Sequence, residues 1–306
     1  MLLFTGSSNP DLAHAIANSL AMTLGRCDLQ RFPDGEVGVV IQDEVRDQDV
    51  FLLQSTSPPV DNHLMELLAL ADACRRACAA RITAIVPYFG YARSDKRDGE
   101  KRPIMASVVA NLMEAAGIDR VFTFDLHTPQ AEGFFRIPID SLTAVPLLLK
   151  GISDHVDKDV VIISPDTGRM NLALHYAEQL KTDVAVLHKH RNSGDSTHVC
   201  RIVGEVRGRS CLLVDDLVST GGTLKDAIAA LLDAGARPEI SIAATHALLP
   251  EAVSALLEQS ALKHFITTDT VPLTLNSPNL TVVSVASRIA TAIERTLDGQ
   301  SLESLY

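Results

Sequence analysis

Residues 211–228 read CLLVDDLVSTGGTLKDAI. Four apolar residues, 211–214, run straight into two adjacent carboxylates, Asp215 and Asp216. A short apolar run bounded by turn chemistry reads as a strand covered on both faces. From residue 223 to residue 234 the pattern is that of an amphipathic helix. Ser219, Thr220, Gly221, Gly222 and Thr223 form the turn between them. Strand, turn and helix in this order are the unit of a parallel α/β sheet, whose ligands bind at the carboxyl ends of the strands. Carboxylates at that position accept hydrogen bonds from sugar hydroxyls. The free N–H groups and dipole of a helix start favour an anion, and two glycines let a ligand approach the backbone closely. A ligand with hydroxyls at one end and a phosphate at the other, a sugar phosphate, fits this layout. The turn alone would equally suit an N-capped helix. Two neighbouring carboxylates at a strand end, however, repel each other and need a role to offset that cost.

The same alternation extends along the chain. Apolar runs at 2–4, 37–41, 50–53, 82–86, 121–124, 160–163, 184–187, 240–244, 265–267 and 281–283 predict strands, and 62–79, 104–116 and 167–180 predict helices. Asn9-Pro10 and Asn62 read as helix starts, Gly117 and Gly235 as helix ends. The fold class is α/β, with largely parallel sheets flanked by helices. One group of strands ends near Phe124 and the next begins near Val160. The intervening residues 136–146 carry two prolines and the expected domain boundary, which divides 1–143 from 144–306. Each half has a strand that ends in acid-bearing turn chemistry, which suggests two similar lobes.

The chain has 306 residues, 46% hydrophobic and 21% charged, enough for two domains. A net charge of −11 excludes a general nucleic-acid binder, so phosphates must be held by local basic clusters. The five cysteines form no Cys-x-x-Cys pair, and an odd number without a framework fits a reducing cytoplasm. Cys74 and Cys78, four apart on a predicted helix, read as two small buried side chains. The first residues, MLLFTGSSNPDLAHAIA, lack a basic region and break after four residues, so no signal peptide is expected. No apolar run approaches the roughly 18 to 20 residues of a membrane span.

The stretch VDDLVSTGGT resembles the phosphoribosyl-diphosphate loop of the type I phosphoribosyltransferases. Four further stretches narrow the likeness: RFPDGEVGV (31–39), residues 61–97, FDLHTPQAEGFF (124–135) and ISPDTG (163–168). Together they resemble the ribose-phosphate diphosphokinase family almost end to end. No Gly-Lys-Ser/Thr phosphate loop of the P-loop kinases is present. The resemblance implies two similar phosphoribosyltransferase-like domains, an ATP side in 1–143 and a ribose 5-phosphate side in 144–306, with the last helix packing back on the first domain. It implies transfer of the diphosphoryl group of ATP to ribose 5-phosphate with Mg2+ as cofactor, in a cytoplasmic homo-oligomer, dimer or hexamer, whose ATP site is completed across a subunit interface. It assigns ATP binding to Phe32, Asp34, Glu36, Arg93, Asp95 and His127. Ribose 5-phosphate falls to Asp166, Asp215, Asp216, Ser219, Thr220, Gly221, Gly222 and Thr223. The metal site falls to His127 and Asp166, and catalysis to Lys189 and Arg191 in the polar stretch HKHRNSGDSTHVC (188–200), expected as a lid loop. Ser94 stands where the family usually has Gln. A non-catalytic regulatory paralogue and a base phosphoribosyltransferase are the alternatives.

Overall fold

The computed structural model describes residues 1–97, 99–191 and 198–306, without the side chains of 189–191 and 198–200. It divides into two compact units. Unit 1 comprises Met1–Thr143, Thr270–Pro272 and Ser284–Tyr306; unit 2 comprises Ala144–Asp269 and Leu273–Val283.

In unit 1 the chain runs β1 (Leu2–Thr5), α1 (Pro10–Ser19), β2 (Cys27–Arg31), β3 (Val37–Ile41), β4 (Asp49–Leu53), α2 (Val60–Arg76), β5 (Arg81–Ile85), α3 (Met105–Ala116), β6 (Arg120–Phe124) and β7 (Ile139–Leu142). Five strands form a sheet in the order β1-β4-β5-β6-β7, all parallel. β5 and β6 are buried from their second residue onward, as strands covered on both faces must be. β2 and β3 form a separate antiparallel hairpin, Cys27 opposite Ile41 and Arg31 opposite Val37, which packs on α2.

Unit 2 opens with α4 (Val145–Ile152) and continues β8 (Val161–Ser164), α5 (Met170–Leu180), β9 (Val184–Arg191), β10 (His198–Val203), β11 (Cys211–Val218), α6 (Gly222–Asp233), β12 (Ile240–Ala247), α7 (Pro250–Leu257), β13 (Leu262–Thr268) and β14 (Leu280–Val283). Its sheet runs β10-β9-β8-β11-β12-β13-β14, parallel except for the β9–β10 hairpin. The chain then returns to unit 1 as α8 (Ala286–Leu297), which lies against α1.

The two lobes repeat one plan. β1-β4-β5-β6-β7 and β8-β11-β12-β13-β14 are the same sequence of elements in the same spatial order. In each, the hairpin follows the helix that comes after the first strand. In unit 2 that hairpin joins the sheet beyond β8, so β8 has its sequence successor β9 on one side and β11 on the other. The strand order therefore reverses between β8 and β11, which is where open α/β sheets leave a ligand crevice.

Local chemistry explains most boundaries. Asn9 caps α1, its side chain accepting from Leu12 N at 3.2 Å, with Pro10 at the first helical position. Gly117 closes α3 at φ 97°, a left-handed conformation that only glycine adopts without strain. Asn62 does not start α2: the helix begins at Val60, with Pro59 at the capping position and no side-chain cap. Residues 167–169 form a single 3-10 turn before α5 rather than its first turn. Cys78 lies beyond the end of α2, exposed at φ 64°, so only Cys74 of that pair is buried. The segment 188–191, expected in a loop, extends strand β9, and β10 pairs with it from His198 opposite Arg191.

Candidate active site

Unit 2 brings the opening stretch to the switch point. β11 pairs with β8 only as far as Leu213 opposite Ile163. It then continues beside β12 to Val218. Asp215 and Asp216 thus lie within the strand, past its last β8 partner, and not after its end. Asp216 is 5% exposed, and its backbone N–H donates to Asp215 Oδ1 at 2.9 Å. Burial lifts the Asp215 carboxyl well above the usual carboxylate range. Its hydrogen bond to Asp216 and the charge of that neighbour add to the rise, Arg169 opposes it, and Asp166 adds slightly.

Asp166 follows β8 on the other side of the crevice. One of its oxygens, Oδ1, caps the 3-10 turn by accepting from Gly168 N at 2.8 Å and Arg169 N at 3.1 Å. Ser164 Oγ donates to Asp166 O at 2.6 Å and so fixes the turn. Arg169 comes with it. Its Nε lies 2.9 Å from Asp216 Oδ1 and 3.6 Å from Asp215 Oδ1. Sequence reasoning did not single out this arginine. The available signal was a basic side chain three residues after a strand-end aspartate in an acidic chain.

The turn 219–223 completes this side. Gly221 sits at φ 74° as the residue before α6, and the helix start has no side-chain cap and no acidic residue in its first turn. A methyl group added at Gly222 would meet nothing closer than Thr220 Oγ1 at 3.8 Å. Thr220, Gly222 and Thr223 are exposed, and Ser219 is half-buried. Uncapped helical N–H groups flanked by hydroxyls and free of steric cover make an anion cradle.

In unit 1 the expected nucleotide residues form two groups. Phe32, Asp34 and Glu36 occupy the tip of the β2–β3 hairpin. Gly35 N donates to Phe32 O and Phe32 N to Glu36 O, both at 2.8 Å, and Glu36 N donates to Asp34 Oδ1 at 3.1 Å. The Phe32 ring covers Gly38, where a Cβ would come within 2.9 Å of it, yet it remains 44% exposed. Arg31 anchors the tip, donating to Gly35 O at 2.7 Å and reaching Glu66 Oε1 at 3.1 Å. The second group lies beyond β5 and β6. Thr128 Oγ1 donates to Asp95 Oδ2 at 2.7 Å, which ties the turn carrying the exposed Arg93 to the loop carrying His127. Ser94 turns inward, accepting from Met105 N at 3.3 Å at the start of α3. Lys189 and Arg191 lie on β9 by backbone; their side chains are outside the described residues.

Among the described residues no cluster of three or more His, Cys, Asp or Glu could hold a metal ion by itself. No described helix is long and apolar enough to cross a membrane.

Known proteins resemble this chain along its whole length. Residues 1–117 match the N-terminal domain of ribose phosphate pyrophosphokinase, and residues 197–306 match the phosphoribosyl synthetase-associated domain. A ribose-phosphate pyrophosphokinase of Chromobacterium violaceum is 43% identical, the match covering 100% of this chain and 94% of that protein. One from Bradyrhizobium diazoefficiens is 44% identical over 99% of this chain and 97% of its own length. The crystal structure of phosphoribosylpyrophosphate synthetase from Mycobacterium smegmatis superposes with a TM-score of 0.90 at 38% identity, covering 97% of this chain and 99% of that one. In sequence from end to end, and in fold, the chain belongs to the ribose-phosphate pyrophosphokinase family.

Proposed function

We propose that this enzyme transfers the diphosphoryl group of ATP to the anomeric hydroxyl of ribose 5-phosphate, giving 5-phosphoribosyl 1-diphosphate and AMP. The observation that carries the reading is the juxtaposition at the switch point: a buried carboxylate pair beside an uncapped, glycine-lined helix start. Asp215 and Asp216 accept from the ribose hydroxyls, and Ser219–Gly222 with Thr223 hold the 5-phosphate. Asp166 borders the same crevice. Phe32 offers a face on which adenine stacks, and Asp34 and Glu36 accept from the base or its ribose. Arg93, Asp95 and His127 serve the triphosphate. The domain that begins the chain thus takes ATP, and the one built on β8–β14 takes the sugar phosphate.

The anomeric oxygen bonds to the β-phosphorus. The bond from that phosphorus to the bridging oxygen breaks, AMP leaves with the electron pair, and the hydroxyl proton is lost. Charge spreads over the transferring group, so catalysis is mostly positioning and electrostatics. Lys189 and Arg191, assigned by family resemblance, supply that charge.

Mg2+ fits the residues present. It keeps several waters and takes few protein oxygens, and Asp166, with one oxygen committed to its turn, retains the other as a donor. His127 is the second candidate. When bound, the ion neutralises phosphate charge. We further propose a cytoplasmic homo-oligomer, dimer or hexamer, in which a neighbouring subunit completes the ATP site. The exposed Phe32 at the hairpin tip and the free thiols among the described residues support this reading.

AMP formation from ATP, with and without ribose 5-phosphate in Mg2+, tests the assignment. Ribose-dependent AMP release is expected, and it should fall by about 100-fold or more in Lys189→Ala, the scale of losing one preorganised charge-stabilising group. Binding of ribose 5-phosphate with no AMP across metal and phosphate conditions would transfer the reading to a regulatory paralogue.

A further inference from the structure

Three carboxylates face the crevice between β8 and β11: Asp166 from the turn after β8, Asp215 and Asp216 from within β11 past its last β8 partner. Arg169 is the cation that joins them. Its backbone N–H is held by Asp166 at 3.1 Å. Its side chain reaches across to Asp216 at 2.9 Å and Asp215 at 3.6 Å. With a side-chain exposure of 14%, the pairing is shielded from bulk water, unlike the surface ion pairs that contribute little. Two adjacent carboxylates forced together in a shielded strand would turn away from each other or recruit a cation from solution. Here the chain supplies the cation from the turn that follows the neighbouring strand.

We propose that Arg169 is a positioning residue for the sugar site: a resident counter-cation that holds Asp215 and Asp216 in the geometry that accepts the ribose hydroxyls, so that ribose 5-phosphate binds without a metal ion. This rests on the ribose 5-phosphate reading of the switch-point crevice. Arg169 need not touch the sugar. Three carboxylates against one guanidinium leave the remaining carboxylate oxygens electron-rich. Such oxygens suit hydroxyl donors better than a second anion. The phosphate is thereby directed to the uncapped start of α6, and the sugar can lie in only one direction along the crevice.

The test is calorimetric titration of ribose 5-phosphate in EDTA, with ATP binding in Mg2+ measured in parallel, for the wild type, Arg169→Gln and Arg169→Lys. The wild type should bind ribose 5-phosphate in EDTA. Arg169→Gln should weaken that binding by about 10- to 100-fold, below the full cost of breaking a buried charge pair because Arg169 acts through the carboxylates, while ATP affinity changes by less than about twofold. Arg169→Lys should recover part of the loss, because a point charge restores the cation without the planar fork. In turnover the effect should fall on the KM for ribose 5-phosphate, not on the KM for ATP. Unchanged ribose 5-phosphate binding in Arg169→Gln overturns the proposal, as does an equal loss for both substrates. If Arg169→Gln does not fold, Arg169→Lys decides: a selective weakening for ribose 5-phosphate supports the role, and parallel weakening of ATP refutes it. A wild type that binds ribose 5-phosphate only with Mg2+ also overturns it. A wild type that binds no ribose 5-phosphate under any condition removes the underlying reading of the crevice instead.

Discussion

Gly222 separates folding from binding at a single position. A methyl group there meets nothing closer than 3.8 Å in the protein, so Gly222→Ala should fold with its thermal midpoint unchanged or slightly raised. The same methyl intrudes on the anion cradle, and the KM for ribose 5-phosphate should rise by about tenfold, the equivalent of about one lost hydrogen bond to a charged group. The carboxylate pair makes a different prediction. The Asp215 carboxyl is lifted well above the usual range by burial first and by Asp216 second. A hydroxyl acceptor must be ionised, so kcat/KM for ribose 5-phosphate should fall on the acid side at a pH above that range. In Asp216→Asn the limb should move to lower pH, because a repelling charge is gone; a limb that stays in place would assign it to another group. The pair itself was legible in the sequence, since an apolar strand core ending in two aspartates is a contiguous signal. Arg169 was not, because its meaning lies in an ion pair between a turn and a strand far apart in the chain.

At the scale of elements, the β2–β3 hairpin depends on one buried carboxylate of α2. Glu66 accepts from Ser7 N at 3.2 Å, Ser7 Oγ at 2.6 Å, Gln54 Nε2 at 2.8 Å and Arg31 Nη2 at 3.1 Å. Burial alone would raise its pKa, but these bonds outweigh it and hold the carboxyl below the ordinary value of 4.5. A carboxyl with a folded pKa below its unfolded one contributes stability that is present above the unfolded value. That contribution is lost as pH falls through the folded value. Glu66→Gln should therefore be less stable at neutral pH, with the difference from wild type narrowing below about pH 4.5, the ordinary glutamate range. Urea unfolding at pH 7 and pH 3.5 measures it. Through Arg31 the same change loosens the hairpin tip, so the KM for ATP should rise while that for ribose 5-phosphate holds. Elements with uniform apolar cores, such as β5 and β11, were legible. β2, sequence CDLQR, was not: its residues are only partly buried, and no apolar run marks it. The 188–191 segment was read as loop because His, Lys, His and Arg look like solvent-facing residues, yet the strand is defined by its pairing with β10. Asn62 misled because a strong capping residue lies inside the first turn of a helix that starts after a proline.

For the whole molecule, the repetition of one strand order in two lobes follows from the alternation of short apolar runs and helices, and the sequence carried a faint sign of it. It did not carry the route of the chain. Unit 1 is assembled from three separate stretches, and its last residues bind its interior. Leu302 and Leu305 are buried, Thr143 N donates to Leu305 O at 2.9 Å, and Tyr306 Oη donates to Asp140 Oδ1 at 2.6 Å. Truncation after Gln300 should destabilise unit 1 by about 3 to 6 kcal/mol, from two buried leucines at about 1.5 to 3 kcal/mol each. Urea unfolding would show it as a transition at lower denaturant, and an unchanged midpoint would deny the tail any structural part.

The return of α8 to lie against α1 also fixes an order of events in the cell. Synthesis proceeds from the amino end, and domains generally fold as units while they emerge. The stretch that begins unit 1 is translated before the inserted lobe, yet the buried face of its helix α1 waits for a partner that is translated after that lobe. The inserted lobe can close while its host is still open. Chains truncated before residue 286 and released from the ribosome should thus carry a finished second lobe and a first lobe that is still a client for chaperones.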